Sequence, residues 1–253
     1  SSAASDVYKR QPMAYMPALS YEAIADGLTV CTSSLHRFGT DAVLLTEFSG
    51  YRQKDRVCDF GTGCGIIPML MQRQAPPQEI YGVDIQPEAI RQMCLGIAES
   101  TAVQSVLHPV CADLKNLWED APAGQLDLVT CNPPYKAYQA GIESQLTAQK
   151  IARHEILCNI YDICRSAKRL LKFGGRLCIC NRPERLADCI DAMRQNGIEP
   201  KRLQFVAKAA DAQPWLFLLE GRSGGKPFLN VLPLRIVGDG SGVTTRLEKT
   251  MPV

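Results

Sequence analysis

The sequence predicts an α/β fold: a mostly parallel sheet with helices on both faces. Three observations carry this prediction. The apolar strand Arg56-Val57-Cys58-Asp59-Phe60 runs directly into Gly61-Thr62-Gly63-Cys64-Gly65 and then into an apolar helix, Ile66 to Met71. The next two strands, Ile80 to Ile85 and one closing on Val110-Cys111-Ala112-Asp113, carry Asp84 and Asp113 at their carboxyl ends. A further apolar strand, Leu126 to Cys131, stops at Asn132-Pro133-Pro134-Tyr135. Strand, glycine turn and helix in that order form the first unit of a doubly wound sheet, whose ligands sit beyond the carboxyl ends of the strands.

From the N-terminus, residues 1–12 show no periodicity, and Asp6-Val7-Tyr8-Lys9-Arg10-Gln11 resembles the translated end of a sequencing adapter. They are set aside as a non-native or disordered leader, with Met13 as the expected start. Residues 13–50 read as an extension: a hairpin turning at Ala25 to Gly27 into Leu28-Thr29-Val30, then a helix from Thr40 to Phe48 capped by Thr40 or Asp41. The main domain is expected over 51–238 and a tail over 239–253.

The glycine spacing narrows the ligand. A dinucleotide site uses G-x-G-x-x-G to set a pyrophosphate on a helix N-terminus, whereas here Gly61, Gly63 and Gly65 alternate and Ile66 takes the sixth place. No Lys-Ser or Lys-Thr pair follows these glycines to make a phosphate loop of the Walker type. The alternation suits S-adenosylmethionine (SAM), whose methionine end needs close backbone approach and no phosphate cradle; a plain glycine turn is the alternative. Asp84, about 20 residues beyond the glycines, is placed to grip ribose hydroxyls. Asp113 is placed to accept from an adenine amino group, with Ile85 and Leu114 as apolar walls. Either aspartate read alone would also serve as a helix N-cap.

Asn132-Pro133-Pro134-Tyr135 suits methylation of a planar amino nitrogen, as in adenine, cytosine or a carboxamide. The lone pair of such a nitrogen is delocalised, so it attacks poorly. The Asn132 side-chain oxygen and the Pro133 carbonyl can each accept one of its N–H groups and pull it toward a tetrahedral geometry. The prolines hold Asn132 and Pro133 extended and add no competing donor. Tyr135 offers a face for stacking, worth on the order of 1–3 kcal/mol per base. A Pro-Pro turn that merely ends a strand is the plain alternative. In the transfer itself, reacting atoms held about 3–3.5 Å apart exchange a sulfonium for a thioether, so acceptors around the amine stabilise the transition state. The methylated amine loses its proton without a tuned base, and His36, His108 and His154 are expected to be structural or to contact RNA.

Beyond the tyrosine, Lys136 to Thr147 lacks an apolar period and reads as a mobile loop beside the site. Ile156, Leu157, Ile160, Ile163, Cys164, Ala167, Leu170 and Leu171 recur at helical spacing, with Gly174-Gly175 as the stop. A strand Arg176 to Cys180 and a helix Pro183 to Gln195 follow. Strands Lys201 to Ala207 and Trp215 to Glu220 are expected as an antiparallel pair at the sheet edge.

The 253 residues, 46% hydrophobic and 21% charged, suffice for one large core. No apolar run approaches the roughly 20 residues of a membrane span, and no signal-type segment is seen, so a cytoplasmic protein without membrane partners is expected. Eleven cysteines, among them Cys58, Cys111, Cys131, Cys178 and Cys180 in apolar strands, read as reduced core residues. Cys178 and Cys180 share a strand face but lack matching histidines, so no metal is assigned. Charge is uneven: residues 1–150 carry net −5 and residues 151–253 net +7. In the basic half Lys168, Arg169, Arg182, Arg185, Lys201, Arg202, Lys208, Arg222 and Lys226 either contact a phosphate backbone or form a solvated face.

From about Leu28 to Val237 the chain resembles the SAM-dependent N6-adenine methyltransferases that modify valine tRNA beside its anticodon. The resemblance is carried by His36-Arg37-Phe38-Gly39-Thr40-Asp41-Ala42-Val43-Leu44-Leu45, by the glycine turn with Ile66-Ile67-Pro68, and by Thr130-Cys131-Asn132-Pro133-Pro134-Tyr135. Ile151-Ala152-Arg153-His154-Glu155 and Arg182-Pro183-Glu184-Arg185-Leu186 add to it. It implies a class I, Rossmann-like, seven-stranded methyltransferase sheet with an antiparallel hairpin at one edge. It also implies cofactor contacts from Thr40, Asp59, Gly61, Thr62, Gly63, Gly65, Asp84, Ile85, Asp113, Leu114 and Asn132. By the same resemblance Asn132, Pro133, Pro134 and Tyr135 would hold the target adenine of a tRNA, adenosine 37. The chain departs from the pattern at Asn181, where a histidine is expected, and at Cys64, where a polar residue is commoner. The rival readings are a protein glutamine methyltransferase, a DNA amino-methyltransferase, and a tRNA-binding protein without activity.

Overall fold

A computed structural model describes residues 18–34, 36–133 and 158–238. The leader, Met13, Pro134, Tyr135, the 136–147 loop, His154, Ile156, Leu157 and the 239–253 tail lie outside the described residues. Two strands, β1 (Ser20–Ala25) and β2 (Leu28–Thr32), form an antiparallel hairpin. Helix α1 (Thr40–Ser49) follows. The chain then alternates: β3 (Arg56–Phe60), α2 (Ile66–Leu70), β4 (Glu79–Asp84), α3 (Pro87–Ala98), β5 (Val106–Cys111), β6 (Leu126–Cys131), α4 (Ile160–Leu170), β7 (Leu171–Asn181) and α5 (Leu186–Gln195). It closes with β8 (Ile198–Ala207), β9 (Leu216–Ser223) and two short strands, β10 (Asn230–Val231) and β11 (Arg235–Ile236).

The sheet runs β10-β8-β9-β7-β6-β3-β4-β5, with β11 also on β8. The expected seven strands are present, parallel from β7 to β5, and β9 runs antiparallel between β7 and β8. The sequence reading missed β10 and β11, which pair parallel with β8 and carry the sheet beyond the expected edge. Two residues each are too few to show an alternating pattern.

Apolar layers cover both faces. Leu44, Leu45, Met69, Leu70, Val57 and Leu128 pack on one side, and Ile163, Cys164, Leu170, Phe60, Val129 and Phe217 on the other. Each such side chain, fully buried, contributes about 1.5–3 kcal/mol. Helix α4 shows how local chemistry sets an element. Ile160, Ile163, Cys164, Ala167 and Leu170 form its buried stripe, and Asn159 and Asp162 cap it reciprocally, side chain to backbone, at 3.0 and 3.3 Å.

Several boundaries differ from the sequence reading. The N-cap of α1 is Gly39, extended and without a side-chain cap bond, and Asp41 instead accepts from Ala42 N at 3.0 Å. The α4 helix stops at Leu170, before the glycines. Gly174 (φ +77°) and Gly175 lie inside β7, where the register against β6 shifts, and a Cβ on Gly175 would come 2.8 Å from the Leu126 carbonyl. The glycines thus make a bulge possible rather than ending a helix. Pro183–Arg185 forms a separate 3₁₀ turn ahead of α5. All eleven cysteines are free thiols, but Cys94 and Cys111 are exposed. Cys111 was expected in the core; β5 is the outer strand on its side, and only a partial layer covers it.

Candidate active site

Neighbour order decides where the site can form. β3 leads through α2 to β4 on one side, while the parallel strand β6 lies on its other side, so the order of strands in the sheet reverses between β3 and β6. Crevices at such reversals open beyond the carboxyl ends of the strands. Phe60 is paired with Cys131, so the residues that leave the two strands side by side are Gly61 and Asn132. Neighbouring strands lie about 4.8 Å apart. The glycine turn and the Asn-Pro step, 71 residues apart in sequence, therefore share one crevice.

The turn is tied down from the β4 side. Gly61 N and Thr62 N both donate to the Val83 carbonyl, at 2.8 and 3.0 Å, and Gly63 N donates to Asp84 Oδ2 at 3.0 Å. Asp84 Oδ1 accepts from Gln86 N at 2.9 Å. Each carboxylate oxygen keeps lone pairs beyond these bonds. Ala112 N donates to the Asp84 carbonyl at 3.0 Å, which draws Asp113 and Leu114 toward Asp84 and Ile85. Asp113 also closes a local turn, accepting from Lys115 N at 3.0 Å, as the capping alternative expects. His36 reaches the same rim, Nε2 lying 3.2 Å from Gln86 Oε1, and α1 begins four residues later at Thr40.

The three glycines differ in what surrounds them. Gly61 (φ +66°) and Gly63 (φ +55°) have nothing within 4 Å of where a Cβ would sit, so their backbone faces open space. A Cβ on Gly65 (φ +80°) would come 2.6 Å from Met93 Cγ. Gly65 therefore lets α3 pack close, whereas the backbone at Gly61 and Gly63 stays open.

Asp59 is 1% exposed and accepts from Thr130 Oγ1 at 2.7 Å across the β3–β6 pair. Burial pushes its carboxyl up to about 7, against the opposing pull of the Thr130 and Thr62 hydroxyls. Because the folded value lies above the ordinary 3.8, the folded state holds a proton that the unfolded chain has released between those values. Stability from this group is full below about pH 4 and is lost as pH rises through 7. Asp59→Asn should thus raise the melting temperature of the unliganded protein at pH 8 by a few degrees, and flatten its decline between pH 5 and 8. Equal slopes for the two proteins in thermal melts would refute this.

The sequence reading did not anticipate Thr130 or Cys180. Cys180 Sγ lies 3.1 Å from Asn132 Oδ1, and its only sequence signal is its place near the end of the strand beside β6. His108, expected to be structural or to contact RNA, lies with Nε2 2.8 Å from Glu79 Oε1. That pair lies toward the amino ends of the strands, away from the crevice, because Glu79 opens β4. The basic residues also separate. Arg202 is bound to Glu220 at 2.6 Å and Lys168 to Ser223 at 2.7 Å. Arg182, Arg185 and Lys208 follow the carboxyl ends of β7 and β8, on the crevice side, while Lys201, Arg222 and Lys226 lie toward the opposite end. Arg182 donates to the Trp215 carbonyl at 3.0 Å and stands 5.7 Å from its ring centroid.

The methyltransferase small domain model matches residues 38–196, which hold both the glycine turn and the Asn-Pro step. The chain belongs to the methyltransferase small domain family. Curated relatives of this methyltransferase include the tRNA1(Val) (adenine(37)-N6)-methyltransferase of Parabacteroides distasonis, 28% identical over 73% of this chain and 76% of that protein. The protein of the same name from Pasteurella multocida is 29% identical, but the match spans only 56% of this chain and 58% of that one. Among solved structures, a predicted O-methyltransferase from Agrobacterium tumefaciens superposes with a TM-score of 0.59 at 20% identity, over 79% of this chain and 89% of that one. The 16S rRNA N2 G1207 methyltransferase of T. thermophilus, in complex with AdoMet and guanosine, gives 0.55 at 15% identity, over 84% and 52%. The fold is that of the class I SAM-dependent methyltransferases, and SAM is the cofactor of this methyltransferase. Among the described residues no helix is long and apolar enough to cross a membrane.

Proposed function

We propose that this methyltransferase transfers a methyl group to the N6 amino nitrogen of an adenosine in tRNA, adenosine 37 of valine tRNA, in the cytoplasm. The observation that carries the reading is the pairing of Phe60 with Cys131, which sets an acceptor pair, the Asn132 amide oxygen and the Pro133 carbonyl, beside an open glycine turn. When bound, SAM supplies an activated methyl group on a sulfonium. Gly61 and Gly63 leave room for its methionine end, and Asp84, Ile85, Asp113 and Leu114 border the space for its ribose and adenine. Asn132 and Pro133 take the two N–H groups of the target amine and localise its lone pair. Pro134 and Tyr135, which lie outside the described residues, are assigned to the target adenine on the sequence alone. The curated relatives' names support adenine in tRNA over a glutamine carboxamide or a DNA base.

The direct test is incubation with labelled SAM and, separately, total tRNA, duplex DNA and release factors. Label in N6-methyladenosine of valine tRNA alone is the expected result; label in a release factor or in DNA, or none at all, would overturn the reading. A second expectation concerns the basic residues on the crevice side. Lys208→Ala should weaken tRNA binding and lower the slope of log affinity against log salt by about 1, whereas Lys226→Ala should leave the slope unchanged. Equal losses in filter binding across a salt series would show that the two ends of the sheet contribute alike.

A further inference from the structure

Cys180 is 0% exposed near the carboxyl end of β7. The β6–β7 register pairs Cys131 with Ile179, so the positions that follow abreast are Asn132 and Cys180. The Cys180 Sγ stands 3.1 Å from Asn132 Oδ1. A carbonyl oxygen only accepts, so the thiol donates. We infer that Cys180 is a positioning residue for Asn132, its thiol hydrogen bond fixing which end of the carboxamide faces the crevice. The inference rests on Asn132 being the acceptor of the substrate amine.

The orientation matters because a carboxamide has two unlike ends. Turned over, Asn132 would present its own NH2 to the NH2 of the substrate, donor against donor. With the oxygen held by Cys180, one lone pair is engaged and the other remains for the substrate N–H. The hydrogen bond therefore selects the productive orientation without using up the acceptor. Nothing in this requires the thiol to ionise or to react.

A purely structural role is the competing explanation, since Cys180 also packs in the core with Leu128, Leu216 and Leu218. Three substitutions separate the two. Cys180→Ala and Cys180→Val remove the donor, the second keeping apolar bulk; Cys180→Ser keeps the donor. In steady-state assays with valine tRNA and SAM, the Ala and Val variants should lose about tenfold in kcat, the size expected for one neutral hydrogen bond, with KM for SAM little changed. Cys180→Ser should recover most of kcat. In an Asn132→Ala background, Cys180→Ala should slow turnover no further, because the group it positions is gone. Unchanged kcat in the Val variant, a Ser variant as slow as Val, or fully additive losses would each overturn the inference. Wild-type turnover in Asn132→Ala alone would instead remove the acceptor reading itself, so the two failures are distinguishable.

Discussion

Asn132→Ala should lower methyl transfer by about 10²-fold or more, the loss typical of one oxyanion-type donor or acceptor removed from the transition state. The planar amine must give up conjugation as it attacks, and an acceptor on each N–H stabilises that change more in the transition state than in the ground state. Only interactions of that kind raise kcat. Pro133 keeps its backbone carbonyl in the variant, which is why some activity persists. SAM affinity should change little, because the proposed cofactor contacts at Gly61, Gly63 and Asp84 are untouched. Single-turnover rates with labelled SAM and saturating tRNA, beside equilibrium SAM binding, give both numbers. A rate within about threefold of wild type would take Asn132 out of the mechanism.

Arg176→Ala should destabilise the fold by about 3–5 kcal/mol, the usual consequence of leaving buried charges without their partner. The Arg176 side chain is 13% exposed and joins parts of the chain far apart in sequence. Its guanidinium lies 3.2 Å from Asp55 Oδ2 and 3.4 Å from Glu220 Oε2, and it also donates to the carbonyls of Ser49 and Gly50 at the end of α1. Burial pushes the Asp55 carboxyl up, with Arg176 as the strongest opposing charge. Glu220, 4% exposed, also binds Arg202, whose guanidinium covers the Phe48 ring at 4.7 Å. One cluster thus fastens the N-terminal helix to β7 and β9. Urea titration at pH 7 measures the loss; a value below about 1 kcal/mol would place the cluster with exposed ion pairs, which contribute little.

The core elements were legible because their signals are local. β3 with its glycine turn, β6, and the stripe of α4 each follow from apolar spacing, and the structure places them with small changes of boundary. The misreadings arose where local chemistry has two outcomes. Gly174 and Gly175 suit a helix stop as well as a bulge, and only the approach of Leu126 selects the bulge. Cys111 lies in a strand as apolar as its neighbours, yet its strand is outermost on its side of the sheet. A run of basic residues from Lys168 to Lys226 looks like one surface on paper. Strand direction sends Lys208 and Lys226 toward opposite ends, and Glu220 holds Arg202 in the fold.

The sequence by itself determined the class of fold, the strand-ending Asn-Pro step and the glycine turn, because each depends on residues within a few positions of one another. Tertiary structure alone decided that Phe60 lies beside Cys131, that Thr130 and deep burial set the proton affinity of Asp59, and that Cys180 reaches Asn132. These depend on strand order and register, which are fixed by how whole faces pack, and packing joins residues that no local pattern connects.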